Sequence, residues 1–433
     1  MLALEQLDDK QREAVDKCID TSRRITAVTG PAGSGKTTIM RLAVQALQDA
    51  GYTCVLVAPT GKAARRIREA TGLPAMTIHM LLEYTAPQDI NPKTGKPFGA
   101  TYPRRDKENP IEADFIFGDE YAMVPHELHR NLLDAFKPGA CLRAFGDIMQ
   151  LPPIEAPHLA DKQTPFAYLL ARFDGVTLTQ VHRQAEDSDI LTNAQRILRG
   201  LSPSNKPDFR MIITHKELTP VAALESVLDA CDWTALNNQI ITPSNKSWIG
   251  THKLNQLVQN ILMESDRPTI PVPRRKFQGK QFDPDIHVGV GDKVIMTKNW
   301  YGLECLDGTM GVMNGETGRV IEISDLHEIV VDFEDRICRI PPALQVVWNN
   351  RVSVVFPQYD LLLAYAVTTH KAQGSEYDHV AYILDKSVTQ MLNRRNLYTG
   401  ITRARHKVFF ITDMRSLGLA VTTKEPRPMY NGG

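Results

Sequence analysis

Along the first 150 residues, short apolar runs alternate with stretches whose apolar positions recur every three or four residues. The runs at 25–28, 54–58, 114–118 and 142–145 have the length and the small, hydroxyl or acidic punctuation of buried parallel strands. Between them, residues 7–19 carry Leu7, Ala14, Val15 and Ile19 at helical spacing, with Asp8 or Asp9 available as N-cap. Residues 38–50 carry Ile39, Met40, Leu42, Ala43, Ala46 and Leu47 as a buried stripe, and Ala63, Ala64 and Ile67 mark one face of a third helix. Strands alternating with helices in this way predict an α/β fold on a parallel sheet.

Two stretches break that rhythm. Residues 84–110 hold five prolines, turn residues at Asn91-Pro92 and Thr94-Gly95, and aromatics at Tyr84, Phe98 and Tyr102. An inserted β-hairpin and a plain surface loop fit this pattern equally well. Residues 260–356 change to short β-rich runs punctuated by Gly, Asn and Pro, which predicts an all-β insertion, a small antiparallel barrel.

Composition adds bounds. A chain of 433 residues implies about two to four domains, and 42% hydrophobic residues suffice for several cores. There is no run of eighteen apolar residues, and acidic residues stand where a signal peptide needs a basic start, so a soluble, cytoplasmic protein is expected. The six cysteines lie far apart with no CxxC pair, so they are expected to be reduced, and neither a disulfide framework nor a zinc site is expected. Fifty basic residues against fifty acidic ones argue against coating nucleic acid by bulk charge. Local basic stretches remain at 267–280 and at Lys62, Arg65, Arg66 and Arg68.

The candidate chemistry begins where the first strand ends. Residues 30–37 satisfy GxxxxGK[ST]: Gly30, Gly33, Ser34 and Gly35 let backbone N–H groups curl round an anion, Lys36 reaches the β/γ-phosphates, and the Thr37 hydroxyl faces Mg²⁺. Thr38 follows in the first turn of a helix whose dipole favours phosphate. Gln11, one helix and one strand earlier, carries an amide that suits the two-sided edge of adenine. The third strand delivers Asp119 and Glu120, one carboxylate for the Mg²⁺ shell and one to activate water; Asp119 is assigned to the metal and Glu120 to the water. The fourth delivers Gln150, placed to sense a γ-phosphate. Pro59 and Thr60, at a strand end before a helix, form a candidate backbone-phosphate site. Thr77 and His79 open a short apolar helix, where a histidine by itself reads as structural.

Taken in order, GPAGSGKTT, APTGKAA, TIH, DEYAM and GDIMQLPPI resemble the first motor domain of superfamily 1 helicases, in the RecD/Dda-like branch of superfamily 1B. LTQVHRQ at 178–184, ITPSNK at 241–246, AVTTHKAQGSEYD at 366–378 and LYTGITRARHKV at 397–408 are similar to the matching set of the second motor. Ala122 departs from the pattern, since the branch commonly has serine there.

The resemblance implies two tandem RecA-like P-loop motors. The first spans 1–175, with 84–110 as an inserted hairpin; the second spans 176–259 and 357–433, with 260–356 as an inserted β-barrel. It implies ATP and Mg²⁺ as cofactors, Arg183 and Arg403 as the arginines that meet the γ-phosphate, and Glu376 on the ribose. Pro59, Thr60, Thr77 and His79 of the first motor, and Thr242, Ser244, Asn245, Thr369 and His370 of the second, are the implied grips on a nucleic-acid backbone. Phe98 or Tyr102 would stack at a strand-separating pin.

The implied activity is an ATP-dependent DNA helicase moving 5′→3′ on single-stranded DNA. A translocase that strips bound proteins, and an ATP-switched clamp, are the alternatives. Single strands and single-strand/duplex junctions are the implied partners of a monomer with no membrane contact, with replication or single-strand-binding proteins as candidate protein partners.

Overall fold

A computed structural model of the chain describes residues 7–84, 102–155, 157–159, 162–180, 188–264, 266–272, 276–277, 280–281, 286–308, 310–348 and 351–424. These form two compact units that divide between Thr192 and Asn193. The first contains α1 (Asp9–Ile19), β1 (Ile25–Thr29), α2 (Lys36–Asp49), β2 (Cys54–Ala58), α3 (Gly61–Thr71), β3 (Ala75–Thr77), α4 (Ile78–Leu81), β4 (Phe115–Gly118), α5 (His126–Asp134), β5 (Cys141–Gly146), α6 (Pro165–Arg172) and β6 (Val176–Thr177). Its sheet runs β3-β2-β4-β5-β1-β6 with every pair parallel.

Alternation along each strand divides the side chains between two cores. Val28, Leu56, Phe115, Phe117 and Phe145 pack with α1, α2 and α3. Their neighbours Ala27, Val57, Ile116, Leu142 and Ala144 pack with α5 and α6 on the other face. A sheet covered on both sides needs apolar residues at every strand position, which is why the runs read as continuous.

The sheet also corrects the expected domain boundary at 175. Val176 and Thr177 pair with Val28 and Thr29, so they belong to the first sheet. A two-residue edge strand is too short to leave a periodic signature.

The stretch 84–110 leaves and returns at one place. The Leu82 carbonyl accepts from the N–H groups of Arg104 and Arg105 at 3.0 and 3.2 Å, and the Arg105 guanidinium lies 2.5 Å from the Glu83 carboxylate. Residues 85–101, including Phe98, lie outside the described residues.

In the second unit, α7 (Asp189–Leu198) leads to β7 (Phe209–Ile213), α8 (Pro220–Leu228), β8 (Asn238–Thr242) and α9 (Thr251–Leu262). Among the strands that follow, five share one sheet: β9 (Lys293–Met296), β10 (Thr317–Ile323), β11 (Ile329–Asp332), β12 (Ile337–Ile340) and β13 (Leu361–Leu363). The chain then returns through β14 (Ala366–Thr368), α10 (Thr369–Ala372), β15 (Tyr377–Leu384), α11 (Arg394–Ile401), β16 (Ala404–Thr412) and α12 (Met414–Thr422). The second parallel sheet runs β14-β8-β15-β16-β7.

The inserted strands form an antiparallel sheet in the order β12-β11-β10-β9-β13. Because β13 belongs to this sheet, the β-rich segment extends past the expected end at 356. It is tied to α9 and to the start of β14 through Asp292, fully buried, whose carboxylate accepts from Arg267 Nη2 at 2.6 Å, Tyr365 Oη and Gln259 Nε2 at 2.7 Å, and the Gly289 N–H at 2.8 Å. Four donors, one of them charged, offset the desolvation of that carboxylate.

The cysteine expectation is corrected here as well. Cys305 and Cys338 form a disulfide across 33 residues of sequence. They are neighbours in an antiparallel bridge, with Cα atoms 4.0 Å apart, a proximity that sequence spacing does not carry. Cys18, Cys54, Cys141 and Cys231 are free thiols.

Candidate nucleotide and strand sites

The phosphate loop connects β1 to α2. Gly33 and Gly35 have φ of +77° and +85°, which side chains resist, and a Cβ on Gly30 would lie 2.6 Å from Ser34 Oγ and 2.8 Å from Leu178 Cβ. Lys36 Nζ donates to the carbonyls of Gly30 at 2.6 Å and Pro31 at 2.9 Å, so the ammonium lies within the curl of the loop. Thr37 and Thr38 are half-buried in the first turn of α2. Gln11 is buried against this loop: its Nε2 donates to the Ser34 carbonyl at 3.1 Å, and its Oε1 accepts from the Asp8 N–H at 3.1 Å. In this geometry the amide supports the loop and caps α1.

The neighbouring strands bring the carboxylates to the same edge, since β4, β5 and β1 are adjacent in the sheet. The Asp119 N–H donates to the Val57 carbonyl at 2.9 Å, and Asp119 Oδ1 accepts from the Glu120 N–H at 2.8 Å. Burial, then the Glu120 charge, push the Asp119 carboxyl above the usual carboxylate range, while Lys36 and Arg66 oppose the shift. Glu120 holds φ of +49°, a left-handed conformation that a non-glycine residue rarely adopts.

After β5, the Thr29 hydroxyl accepts from the Ile148 N–H at 3.1 Å and ties the Gln150 segment to the end of β1. Gln150 is 5% exposed, and its Oε1 has no hydrogen-bond partner among the described residues. A buried acceptor without a donor beside a phosphate loop and two carboxylates is what an amide waiting for water or a ligand looks like. This donor and acceptor set fits ATP with Mg²⁺: loop N–H groups and Lys36 for phosphate, Thr37 and Asp119 for the cation.

Two hydroxyls stand at the same sheet edge, on β2 and β3. Thr60 caps α3, its Oγ1 accepting from the Ala63 N–H at 3.2 Å, and Thr77 caps α4 by accepting from the Met80 N–H at 3.1 Å. The strands they follow are paired, Ala58 with Thr77. Pro59 is half-buried beside Thr60. Burial lowers the His79 imidazole pKa, and its ring lies 4.9 Å from that of Tyr84, the contact of a packed histidine. Tyr102 is 50% exposed.

The second unit repeats this layout on β8 and β14, where Thr242 pairs with Thr368. Thr242 is fully buried and donates to the Ile249 carbonyl at 3.0 Å, so it shapes the following loop instead of facing a ligand. Ser244 Oγ accepts from the N–H groups of Lys246 and Ser247, both at 3.3 Å, and Asn245 Oδ1 accepts from the Thr251 hydroxyl at 2.9 Å. Asn245, Thr251, His252, Thr368 and Lys371 line a groove.

Thr369 is fully buried, and burial pushes the His370 imidazole down to about 4. The groove residues of this motif are therefore Thr368 and Lys371, one position to either side of the expected pair.

Arg403 is 2% exposed; its guanidinium donates to the Thr399 carbonyl at 3.0 Å, the Ser375 carbonyl at 3.3 Å and the Thr402 hydroxyl at 3.4 Å. The fold thus brings TRAR and QGSE together. All three acceptors are neutral oxygens, and among the described residues no carboxylate pairs with Arg403. Glu376 accepts from Arg405 Nε at 3.1 Å. Arg183 lies outside the described residues.

Sequence reasoning missed Thr29, Thr368 and Lys371 as positioning or lining residues. Thr29 and Thr368 both close an apolar strand directly before a motif, which is the one local signal available.

Residues 6–211 match an AAA domain family, and residues 363–411 match the UvrD-like helicase C-terminal domain. The chain is 31% identical, over 408 residues, to an ATP-dependent RecD2 DNA helicase of Deinococcus radiodurans, covering 93% of this chain and 48% of that protein. It is 28% identical over 461 residues to the RecBCD enzyme subunit RecD of Mycobacterium tuberculosis, covering 97% of this chain and 72% of that one. It thus spans about half the length of the first of these relatives and nearly three quarters of the second. In fold it is similar to the crystal structure of Bacteroides Pif1 bound to ssDNA, with a TM-score of 0.57 at 20% identity over 93% of this chain and 92% of that one.

Proposed function

We propose that this chain, which belongs to the RecD/Pif1-like helicases of superfamily 1B, hydrolyses ATP to move 5′→3′ along single-stranded DNA and to open duplex at single-strand/duplex junctions. One observation carries the reading: the Lys36 loop, Asp119, Glu120 and the amide oxygen of Gln150, without a hydrogen-bond partner among the described residues, share one sheet edge with the helix-capping hydroxyls of Thr60 and Thr77. Hydrolysis and a backbone grip on neighbouring strand ends are the two ingredients of a motor.

The chemistry follows from the side chains. The phosphate-loop N–H groups and Lys36 bind and orient the triphosphate, and Thr37 with Asp119 would hold Mg²⁺, which supplies positive charge to the β- and γ-phosphate oxygens. Glu120 takes a proton from the attacking water, and Gln150 Oε1 accepts that water's other hydrogen and fixes its direction. The resemblance assigns Arg183 and Arg403 to the charge of the developing phosphoryl transition state. By resemblance Glu376 is assigned to the ribose, while Gln11 supports the phosphate loop.

Hydroxyl and backbone contacts at Thr60, Thr77, Ser244, Asn245 and Thr368 read phosphates without reading sequence, which suits movement along any strand. The 5′→3′ direction rests on resemblance to the RecD-like branch. The stretch 84–110 is the proposed pin, and the chain acts as a monomer.

The test is unwinding of duplexes bearing a 5′ or a 3′ tail, in DNA and RNA versions, with ATP turnover measured with and without an oligonucleotide. Stimulated turnover with opening from the 5′ DNA tail is expected. Opening only from a 3′ tail overturns the direction; stimulated turnover with protein displacement but no opening converts the reading to a translocase. Turnover indifferent to strand leaves a clamp.

A further inference from the structure

Arg66 lies in the second turn of α3, the helix whose first turn is capped by Thr60. Its Nη1 is 3.7 Å from Glu120 Oε1, with 35% of the Arg66 side chain and 13% of the Glu120 side chain exposed. The same guanidinium acts electrostatically on Asp119, where it works with Lys36 against the effect of burial. One arginine therefore faces both carboxylates while sitting on the helix that begins at the proposed strand grip.

The backbone makes this link short. Strands β2 and β4 are paired, Val57 with Gly118, so α3 leaves the sheet beside the turn that carries Asp119 and Glu120. Glu120 is held at φ of +49° on that turn, and its carboxylate depends on its surroundings for direction. Arg65, the preceding residue, points to a different partner: its Nε lies 2.7 Å from Glu69 in the next turn of the same helix.

We propose that Arg66 is a positioning residue that ties the direction of the Glu120 carboxylate to α3, so that a strand phosphate at the Thr60 end of the helix is felt at the water-activating group. The inference rests on the reading of the chain as a strand-stimulated ATPase. A displacement of α3 by a fraction of an ångström changes the reach of Arg66, and a general base misplaced by about 1 Å loses up to about a hundredfold in rate. An arginine serving only to solubilise α3 would leave turnover unchanged, and one gripping the strand directly would weaken strand affinity and flatten its salt dependence.

The experiment compares wild type, R66Q, R66M, R66K and R65Q. For each, kcat and KM for ATP are measured with and without an unstructured DNA oligonucleotide, alongside oligonucleotide Kd and the thermal midpoint. R66Q and R66M are expected to lose about tenfold or more of the strand-stimulated kcat, with KM and Kd within about twofold of wild type. R66K keeps the charge and is expected to recover most of the loss, and R65Q should behave as wild type.

Wild-type stimulation in R66Q or R66M overturns the proposal, as does a loss that follows Kd or the absence of recovery in R66K. R66M keeps the aliphatic stem and decides the matter if R66Q does not fold. Should wild type itself show no strand stimulation, it is the helicase reading that falls.

Discussion

Arg143 on β5 donates from Nε to the Cys18 carbonyl at 2.6 Å, joining residues 125 positions apart. The same guanidinium takes the carbonyls of Asp20 and Arg23, each at 2.9 Å, and it is fully buried. These are the carbonyls at and beyond the C-terminus of α1, so a strand side chain caps a helix whose other end carries Gln11 against the phosphate loop. Removing the donor leaves several buried carbonyls without partners. R143M is expected to lower stability by about 3 kcal/mol, which is about 6–12 °C in thermal midpoint for a unit of this size, read by calorimetry.

Gln150 and Lys36 are expected to fail differently. In the proposed reading Q150A removes only the amide that orients the reacting water, so kcat should fall by about a hundredfold with KM for ATP nearly unchanged. K36A removes the ammonium from the phosphate site and should stop turnover and unwinding together. Strand affinity without ATP, read by fluorescence anisotropy, should survive in both, because Thr60 caps α3 after β2 and Thr77 ends β3, away from the β1 loop.

His370 gives a pH dependence with a definite sign. Burial holds its imidazole at about 4, against 6.5 for an exposed histidine. As pH falls, the unfolded chain takes up the proton first, so stability that is complete above about 6.5 is lost progressively on the way down to about 4. Between pH 7 and pH 5 this amounts to about 2 kcal/mol. Asp119, whose carboxyl is raised by burial and by Glu120, works in the opposite direction. The informative quantity is therefore the difference between wild type and H370Q in urea unfolding at the two pH values; H370Q should show a loss smaller by that amount.

The chain around 84–110 is anchored at its base by Leu82, Glu83, Arg104 and Arg105. Ends that meet can be closed by a short linker at little entropic expense. Replacing residues 90–102 with Gly and Ser is expected to abolish duplex opening while strand-stimulated ATP turnover persists. Retained opening of a forked duplex would place strand separation elsewhere.

The α/β class, the strands at the phosphate loop and the carboxylates, and the β-rich character of 260–356 were legible because each depends on local pattern. Strand cores demand unbroken apolar runs, and a phosphate loop demands glycine at Gly33 and Gly35, whose φ values leave little choice. The order GPAGSGKTT, DEYAM, GDIMQ, TRAR carried the family for the same reason: each string is contiguous in the chain. The boundary at 175 failed because Val176 and Thr177 form a strand too short to show a period.

What the sequence by itself determined, then, is the set of segments in which chemistry resides. Tertiary structure alone decided which side chains of those segments meet: Arg143 with Cys18, Cys305 with Cys338, Arg66 with Glu120, and Thr368 with Lys371 on the groove. The physical reason is that helix phase and strand pairing set the direction of a side chain. A shift of one residue turns it by about 100° on a helix or to the opposite face of a strand, and a motif read as a string holds no record of that direction.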